Sequence, residues 1–229
     1  MAARRIMLLD LDGTACRGDE PVLEYARLVG AALPDRTAAR LTAMLHGFLN
    51  GTDRDGVLAD AQDGYQAVAA LAAHLGSPPE MTEAAFHGSR GRLAAGELRV
   101  EAPAGLVDLL AELRPTVRVL LVTNAPATGL EAILNRLDLI GVLDEVIANA
   151  GKPAGLPPVL ERVLADVGAE HDPWRLLSVG DIWANDLRVP RERGSATAYV
   201  DRFDRRQGPA DARAPLVEDL YDHIRRWAS

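Results

Sequence analysis

Residues 6–14 of the chain read Ile-Met-Leu-Leu-Asp-Leu-Asp-Gly-Thr, a short apolar run that ends in two aspartates and a glycine. A continuous run of this kind is typical of a strand buried on both faces of a parallel sheet. Gly13 lets the backbone turn tightly after the strand. The stretch therefore predicts a central strand whose carboxyl end presents Asp10 and Asp12.

The same pattern recurs further along the chain. Apolar runs occupy residues 117–122, 146–148, 176–179 and 196–200. Helical periodicity occupies residues 104–113, 129–137, 156–167 and 216–227. Strands and helices that alternate in this order predict an α/β fold with a doubly wound parallel sheet.

The segment 17–100 interrupts this alternation. It contains four consecutive helical patterns, at residues 22–33, 37–49, 57–75 and 80–95, punctuated by glycines and prolines. We therefore expect an all-helical cap domain at residues 17–100, inserted into an α/β core domain made of residues 1–16 and 101–229.

Polar side chains stand where the predicted strands end. They are Asp10 and Asp12 after the first strand, Lys152 in a Gly-Lys-Pro turn after the third, Thr123 and Asn124 after the second, and Asp181 after the fourth. Ligands of open α/β sheets bind beyond the carboxyl ends of the strands, so we expect these side chains to meet at one edge of the sheet.

These residue types suit phosphoryl transfer. Clustered carboxylates repel one another unless a cation lies among them, and Mg²⁺ accepts carboxylates, waters and phosphate oxygens as ligands. A carboxylate such as Asp10 can be a covalent nucleophile, and a second carboxyl two residues on, Asp12, can protonate a leaving group. Lys152 and the Thr123 hydroxyl can stabilise charge on the transferred group.

Four motifs carry these residues: LLDLDGT at 8–14, LVTN at 121–124, GKP at 151–153 and GDIWAND at 180–186. Together and in this order they resemble the signatures of the haloacid dehalogenase superfamily of hydrolases. The helical insert is similar to that family's cap, so the resemblance covers the whole chain. It implies a magnesium-dependent hydrolase that acts on a small phosphate monoester through an aspartyl-phosphate intermediate.

The resemblance also implies the catalytic roles. Asp10 would be the nucleophile and a metal ligand. Asp12 would be the general acid/base, and its backbone carbonyl would bind Mg²⁺. Lys152 would neutralise charge on Asp10 and on the phosphate.

The remaining roles concern the substrate and the metal. Thr123 and the backbone of Asn124 would hold the phosphoryl group, together with Lys152. Asp181 would complete the metal site, and Asp186 would join it directly or through water.

Subfamilies of this superfamily differ in whether they carry an acid at the position of Asp12. Dehalogenases and phosphonatases of this superfamily lack an acid there, so Asp12 favours hydrolysis of a phosphate monoester or a phosphomutase. Two departures from the family pattern lie beside the metal loop. Ile182 stands where a small polar residue is common, and residues 188–193 carry a proline and three arginines where glycine and alanine are usual.

Each motif taken singly has a simpler interpretation. Asp10 and Asp12 could close a strand, Thr123 and Asn124 could cap a helix, and Lys152 could be a solvated lysine. The functional interpretation depends on all four motifs occurring together. Two further alternatives are a phosphomutase of the same superfamily and a non-catalytic binding or regulatory protein that keeps the fold.

Composition and net charge argue against two kinds of partner, nucleic acid and the membrane interior. The formal net charge of −8 makes nucleic acid a poor partner, and no stretch approaches the roughly 20 apolar residues of a membrane helix. The single cysteine, Cys16, fits a reducing compartment. We therefore expect a cytoplasmic protein that acts on a phosphorylated small molecule, and the sequence leaves the oligomeric state open.

Overall fold

The computed structural model of the protein describes residues 5–53 and 55–229. The first four residues of the predicted core segment 1–16, and Arg54 of the predicted insert, lie outside the described residues. The chain divides into two compact units. One runs to Arg17 and resumes at Glu101, and the other comprises Gly18–Val100.

The second unit is built from helices. They are α1 (Glu20–Gly30), α2 (Asp35–Leu49), α3 (Gly64–His74) and α4 (Pro79–Ala94), with a short 3-10 turn at Gly56–Leu58. Helix α1 packs against the other three. An all-helical insert after the first strand is thereby confirmed.

The predicted third helix of the insert, residues 57–75, was wrong over residues 57–63. A 3-10 turn covers Gly56–Leu58, and helix α3 begins only at Gly64. Asp63 caps this helix, since its carboxylate accepts a hydrogen bond from the backbone N–H of Gln66 at 2.7 Å. The cap satisfies a backbone donor that an uninterrupted helix would have bonded to the preceding turn.

The first unit contains a six-stranded parallel sheet in the order β3-β2-β1-β4-β5-β6. The strands are β1 (Arg5–Leu9), β2 (Val117–Val122), β3 (Glu145–Ile147), β4 (Leu176–Gly180), β5 (Ala196–Val200) and β6 (Ala212–Ala214). The first five confirm the predicted parallel sheet. The sixth was missed, because its three residues at the edge of the sheet form no apolar run.

The helices of this unit follow the strands. They are α5 (Leu106–Leu113), α6 (Leu130–Arg136), α7 (Leu156–Asp166), α8 (Arg188–Glu192) and α9 (Tyr221–Ala228). The apolar face of α7 buries Leu160 and Val163 against Ile6 and Leu8 of β1. Met7 and Leu9, which point to the opposite face, are also buried, so β1 is covered on both faces and reads as a continuous apolar run. No helix of the described residues is both long and apolar enough to cross a membrane.

The strand order reverses beside β1. Strands β2 and β3 lie on one side of it and β4, β5 and β6 on the other. Leu9 is level with Leu121 of β2 and with Val179 of β4, so the three strands end at the same height. Their carboxyl ends form the crevice in which open α/β sheets bind ligands.

The chain leaves and re-enters the first unit through paired segments. Arg17 and Glu101 form an antiparallel backbone bridge, with N–H···O distances of 2.8 and 2.9 Å. The Arg17 guanidinium also forms an ion pair with Glu218 at 2.7 Å. The two segments of the first unit that flank the insert are therefore tied to each other and to the C-terminal region of the same unit.

Within the helical unit, a buried carboxylate links α1 to α4. Glu24, which is 7% exposed, accepts hydrogen bonds from Arg27 at 2.7 and 2.8 Å and a further one from Arg92. The pKa of Glu24 is lowered to about 2, chiefly by the hydrogen bonds from Arg27. Burial acts in the opposite direction, and the hydrogen bond from Arg92 lowers the pKa further.

We predict that Glu24→Gln lowers the free energy of unfolding by about 1–2 kcal/mol at pH 6, because it weakens charge-assisted hydrogen bonds. Since the pKa of Glu24 is depressed in the folded state, this contribution is complete above the ordinary value of 4.5 and declines as the pH falls towards 2. Urea unfolding at pH 6 and at pH 3 measures both effects.

The matched control is Glu83→Gln, since the Glu83 side chain is 76% exposed. It should change stability by less than about 0.5 kcal/mol. An equal loss in both variants, or a Glu24→Gln effect of the same size at both pH values, would contradict the interpretation.

Candidate active site

Three carboxylates converge at the carboxyl ends of β1 and β4. One oxygen each from Asp10, Asp181 and Asp186 lies within 4.8 Å of the others. Asp10 follows β1, and Asp181 follows β4, its neighbour in the sheet. Asp10 and Asp186 are buried. A cluster of this composition offers the oxygen ligands that a hard divalent cation requires.

A single ammonium group bridges two of these carboxylates. The Nζ atom of Lys152 lies 2.6 Å from an oxygen of Asp10 and 2.6 Å from an oxygen of Asp186. The Lys152 side chain is only 4% exposed. The lysine that follows the third strand is therefore an internal cation of this site and not a solvated surface residue.

Negative charge exceeds positive charge in this cluster. Burial is the largest cause that raises the pKa of Asp10, to about 7. The carboxylates of Asp186 and Asp12 also raise this pKa, whereas the Lys152 ammonium lowers it. For Lys152, burial favours the neutral amine, but attraction to Asp10 and Asp186 outweighs it and raises the pKa above its ordinary value. The lysine stays charged, and one ammonium does not balance the carboxylates.

Asp186 is held in place by the backbone around it. It lies in a π-helical turn, Trp183–Leu187, a rare form often found at functional sites. One carboxylate oxygen accepts a hydrogen bond from the Ile182 N–H at 2.9 Å. The Ser178 hydroxyl of β4 donates to the Asp186 carbonyl at 2.7 Å. These bonds leave the Asp186 side chain little freedom to turn away from Lys152.

Ser178 was missed in the sequence analysis. A signal was present, because Ser178 is the one polar residue in the run Leu-Leu-Ser-Val-Gly of residues 176–180. A hydroxyl in a strand buried along its whole length must find a hydrogen-bond partner. The identity of that partner depends on the π-helical turn, which the sequence pattern did not indicate.

Two glycines allow the carboxylates to approach the backbone. Gly13 has a φ of +87°, and a Cβ atom there would overlap the carboxylate of Asp181. A Cβ atom at Gly180 would overlap Asp186. Glycine at position 13 therefore lets the loop after β1 approach Asp181, and glycine at position 180 lets the turn after β4 fold back so that Asp186 lies against it.

Thr123 and Asn124 lie at the end of β2. Thr123 is buried, and its hydroxyl oxygen accepts a hydrogen bond from the N–H of Ala125 at 3.0 Å. That bond leaves the hydroxyl proton available to donate to another group. The Asn124 side chain contacts the main chain of Lys152. Both residues thus belong to the strand edge at which the carboxylates meet.

Asp12 stands apart from the carboxylate cluster. It is half-buried in the loop after β1, where its backbone pairs with Cys16. Its charge contributes to the raised pKa of Asp10, so the two carboxyl groups interact electrostatically. Asp12 is therefore a separate carboxyl group that influences Asp10 from outside the cluster.

The two departures from the family pattern have local explanations. Ile182 contributes its backbone N–H to Asp186, and its side chain is buried. In the arginine-rich segment, Arg191 pairs with Asp211 at 2.7 Å and Arg193 pairs with Glu161 at 2.9 Å. These arginines are thus engaged with carboxylates outside the cluster.

We predict that Gly13→Ala destabilises the protein by at least about 1 kcal/mol, because alanine resists a positive φ and its methyl group would displace Asp181. Gly141→Ala is the matched control in the same unit, since open space surrounds Gly141. Urea unfolding of both variants checks this, and equal stabilities would refute the close approach.

Comparison with known proteins identifies the fold. No family model matches the sequence. No curated protein matches it either. Among solved structures, the magnesium-bound HAD-hydrolase YfnB from Bacillus subtilis has a TM-score of 0.63 at 19% identity, covering 97% of this chain and 99% of that one.

Two further structures agree over nearly the full length. The HAD phosphatase from Thermococcus onnurineus has a TM-score of 0.57 at 18% identity, covering 96% of this chain and 97% of that one. The L-2-haloacid dehalogenase RSc1362 has a TM-score of 0.59 at 14% identity, covering 98% and 100%. The chain therefore has the fold of the haloacid dehalogenase-like hydrolases, with a helical insert after its first strand.

Proposed function

We propose that the protein is a magnesium-dependent phosphatase that hydrolyses a small phosphate monoester through an aspartyl-phosphate on Asp10. The observation that carries this proposal is the Lys152 ammonium held at 2.6 Å from both Asp10 and Asp186, inside a cluster of three carboxylates. Such a cluster is costly to bury and is suited to binding a cation and a phosphate together.

The donor set supports magnesium as the cofactor. Asp10, Asp181 and Asp186 would hold the ion with carboxylate oxygens, and Asp12 would add its backbone carbonyl. Burial, together with the carboxylates of Asp186 and Asp12, raises the pKa of Asp10, and a divalent cation beside it would favour the charged carboxylate. When bound, the ion would supply charge neutralisation at the phosphate oxygens. The magnesium-bound relative of the same fold is consistent with this assignment.

In the first step, a carboxylate oxygen of Asp10 attacks phosphorus, and the bond from phosphorus to the ester oxygen breaks. Asp12 donates its proton to the leaving oxygen, which departs as an alcohol. Lys152 and the Thr123 hydroxyl stabilise the charge of the phosphoryl group during transfer. Burial of Asp10 keeps the nucleophile poorly solvated.

In the second step, Asp12 takes a proton from water, and the water oxygen attacks the phosphorus of the aspartyl-phosphate. The bond between phosphorus and Asp10 breaks, so inorganic phosphate leaves and both aspartates return to their starting states. A phosphomutase would share the first step but return the phosphoryl group to a sugar. Release of inorganic phosphate therefore distinguishes the proposed hydrolysis from transfer of the phosphoryl group to a sugar.

Asp12 distinguishes this proposal from dehalogenation. The fold alone does not, because solved structures with it include both a phosphatase and a haloacid dehalogenase. Dehalogenases of the superfamily lack an acid at this position, whereas an alcohol leaving group needs a proton. We further propose a phosphorylated small molecule as the substrate and the reducing cytoplasm as the place of action.

We predict that hydrolysis of p-nitrophenyl phosphate is lost in excess EDTA and restored by Mg²⁺, since the cluster needs a cation to hold a dianionic substrate. Ca²⁺ should inhibit, because its larger and looser coordination disturbs the geometry of attack. Release of p-nitrophenol and of inorganic phosphate are both measured. Full activity after exhaustive chelation would rule out the metal-dependent mechanism.

We predict that Asp12→Asn separates the two chemical steps. p-Nitrophenolate leaves without a proton, so the first step should survive with this substrate, whereas alkyl phosphates should be slowed by roughly 10²- to 10⁴-fold. The second step lacks its base, so aspartyl-phosphate should accumulate. Rapid mixing should then show a burst of about one equivalent of p-nitrophenol per site, followed by slow turnover.

Asp10→Asn is the matched control, since it is nearly isosteric and removes the nucleophile. It should show neither burst nor turnover while keeping its fold by circular dichroism. If Asp12→Asn slows both substrate types equally and gives no burst, Asp12 is not the acid/base.

A further inference from the structure

The carboxamide of Asn124 pairs with both polar backbone groups of Lys152. Its Oδ1 atom accepts a hydrogen bond from the Lys152 N–H at 2.7 Å. Its Nδ2 atom donates to the Lys152 carbonyl oxygen at 3.1 Å. The two residues are 28 positions apart in sequence, so this two-bond contact joins the end of β2 to the loop after β3.

This contact completes a ladder of hydrogen bonds between the two segments. The Thr123 N–H donates to the Ile147 carbonyl, the Ala150 N–H to the Thr123 carbonyl, and the Asn149 N–H to the Ala125 carbonyl, each at 2.9 Å. Beyond Ala150, the Asn124 side chain makes the next two hydrogen bonds between these segments, both to Lys152. That side chain therefore extends the β2–β3 pairing as far as the residue that carries the ammonium group.

A capping role does not explain Asn124. Helix α6 begins at Leu130, and the residue before it is Gly129. Asn124 is thus too far from the first turn to satisfy its free N–H groups. The structure instead directs both polar atoms of the carboxamide to one peptide segment of the neighbouring loop.

We propose that Asn124 is a positioning residue that fixes the backbone of Lys152, and through it the ammonium group between Asp10 and Asp186. The catalytic part of this inference rests on the proposed phosphatase function. Lysine has a long flexible side chain, so the place of its ammonium depends on where the backbone is anchored. An ammonium group that is already held beside the reacting phosphate accelerates the reaction more than one whose side chain must first become ordered.

Only an amide of this length satisfies both groups. Leucine has a similar size but neither a donor nor an acceptor, so Asn124→Leu would remove both hydrogen bonds. The substitution leaves the backbone N–H of residue 124, which was assigned to the phosphoryl group, unchanged. Asn135→Leu is the matched control, because Asn135 is exposed on α6.

The first measurement is amide hydrogen exchange by mass spectrometry, which needs no substrate. In Asn124→Leu, peptides that cover residues 148–156 should exchange at least about tenfold faster than in the wild type, since the Lys152 N–H loses its acceptor. Asn135→Leu should match the wild type there. Unchanged protection in Asn124→Leu would overturn the proposed anchor, whatever reaction the protein catalyses.

The second measurement is a double-mutant cycle on kcat/KM for p-nitrophenyl phosphate. Asn124→Leu should lower kcat/KM by roughly 10- to 100-fold, and Lys152→Ala by on the order of 10²-fold or more. If Asn124 acts through Lys152, the double variant should be no slower than Lys152→Ala alone. A double variant slowed by the product of the two factors would mean an independent, merely structural role and overturn the proposal.

A second variant covers the case in which Asn124→Leu does not fold by circular dichroism. Asn124→Ser then replaces it in both measurements, since serine removes the paired amide but keeps a polar side chain. A wild type without hydrolytic activity would defeat the proposed function, and the exchange measurement would still decide whether Asn124 anchors Lys152.

Discussion

The site depends on one ammonium group placed between the two buried carboxylates of Asp10 and Asp186, with the half-buried carboxylate of Asp181 close to both. Moving charges out of water costs several kcal/mol per ion, and the attraction to Lys152 offsets this only in part, because the carboxylates outnumber it. Such an arrangement is a poor way to stabilise a fold. A divalent cation would offset the excess negative charge, and we propose that the bound cation in turn holds the phosphate of the substrate.

The backbone geometry of the first unit brings the carboxylates of this cluster together. Asp10 and Asp181 come from adjacent parallel strands at the reversal of strand order, which is the natural crevice of the sheet. Gly13 lacks a side chain that would clash with Asp181, and Gly180 lacks one that would clash with Asp186. The π-helical turn and the Ser178 hydroxyl then fix Asp186. The Asp186 carboxylate is therefore held by a backbone N–H, and the Asp10 carboxylate by the Lys152 ammonium.

The fold and the chemistry are specified by different residues. At 14–19% identity the solved structures share the arrangement of strands and helices, which depends on apolar runs that many sequences can supply. Under the proposed function, the choice between ester hydrolysis and dehalogenation depends on single polar positions such as Asp12. The Asn124 carboxamide is proposed as a second such position, because its two hydrogen bonds go to the backbone of Lys152.

The sequence by itself determined the α/β class, the helical insert and five of the six strands, because buried parallel strands and amphipathic helices leave clear apolar patterns. Its motifs also pointed to Asp10, Lys152, Asp181 and Asp186, whose roles remain predictions. Only the tertiary structure decided the contacts made by Ser178 and by the Asn124 side chain. Those hydrogen bonds join residues to loops and turns whose backbone paths, such as the π-helical turn, follow from packing and leave no periodic signal in the chain.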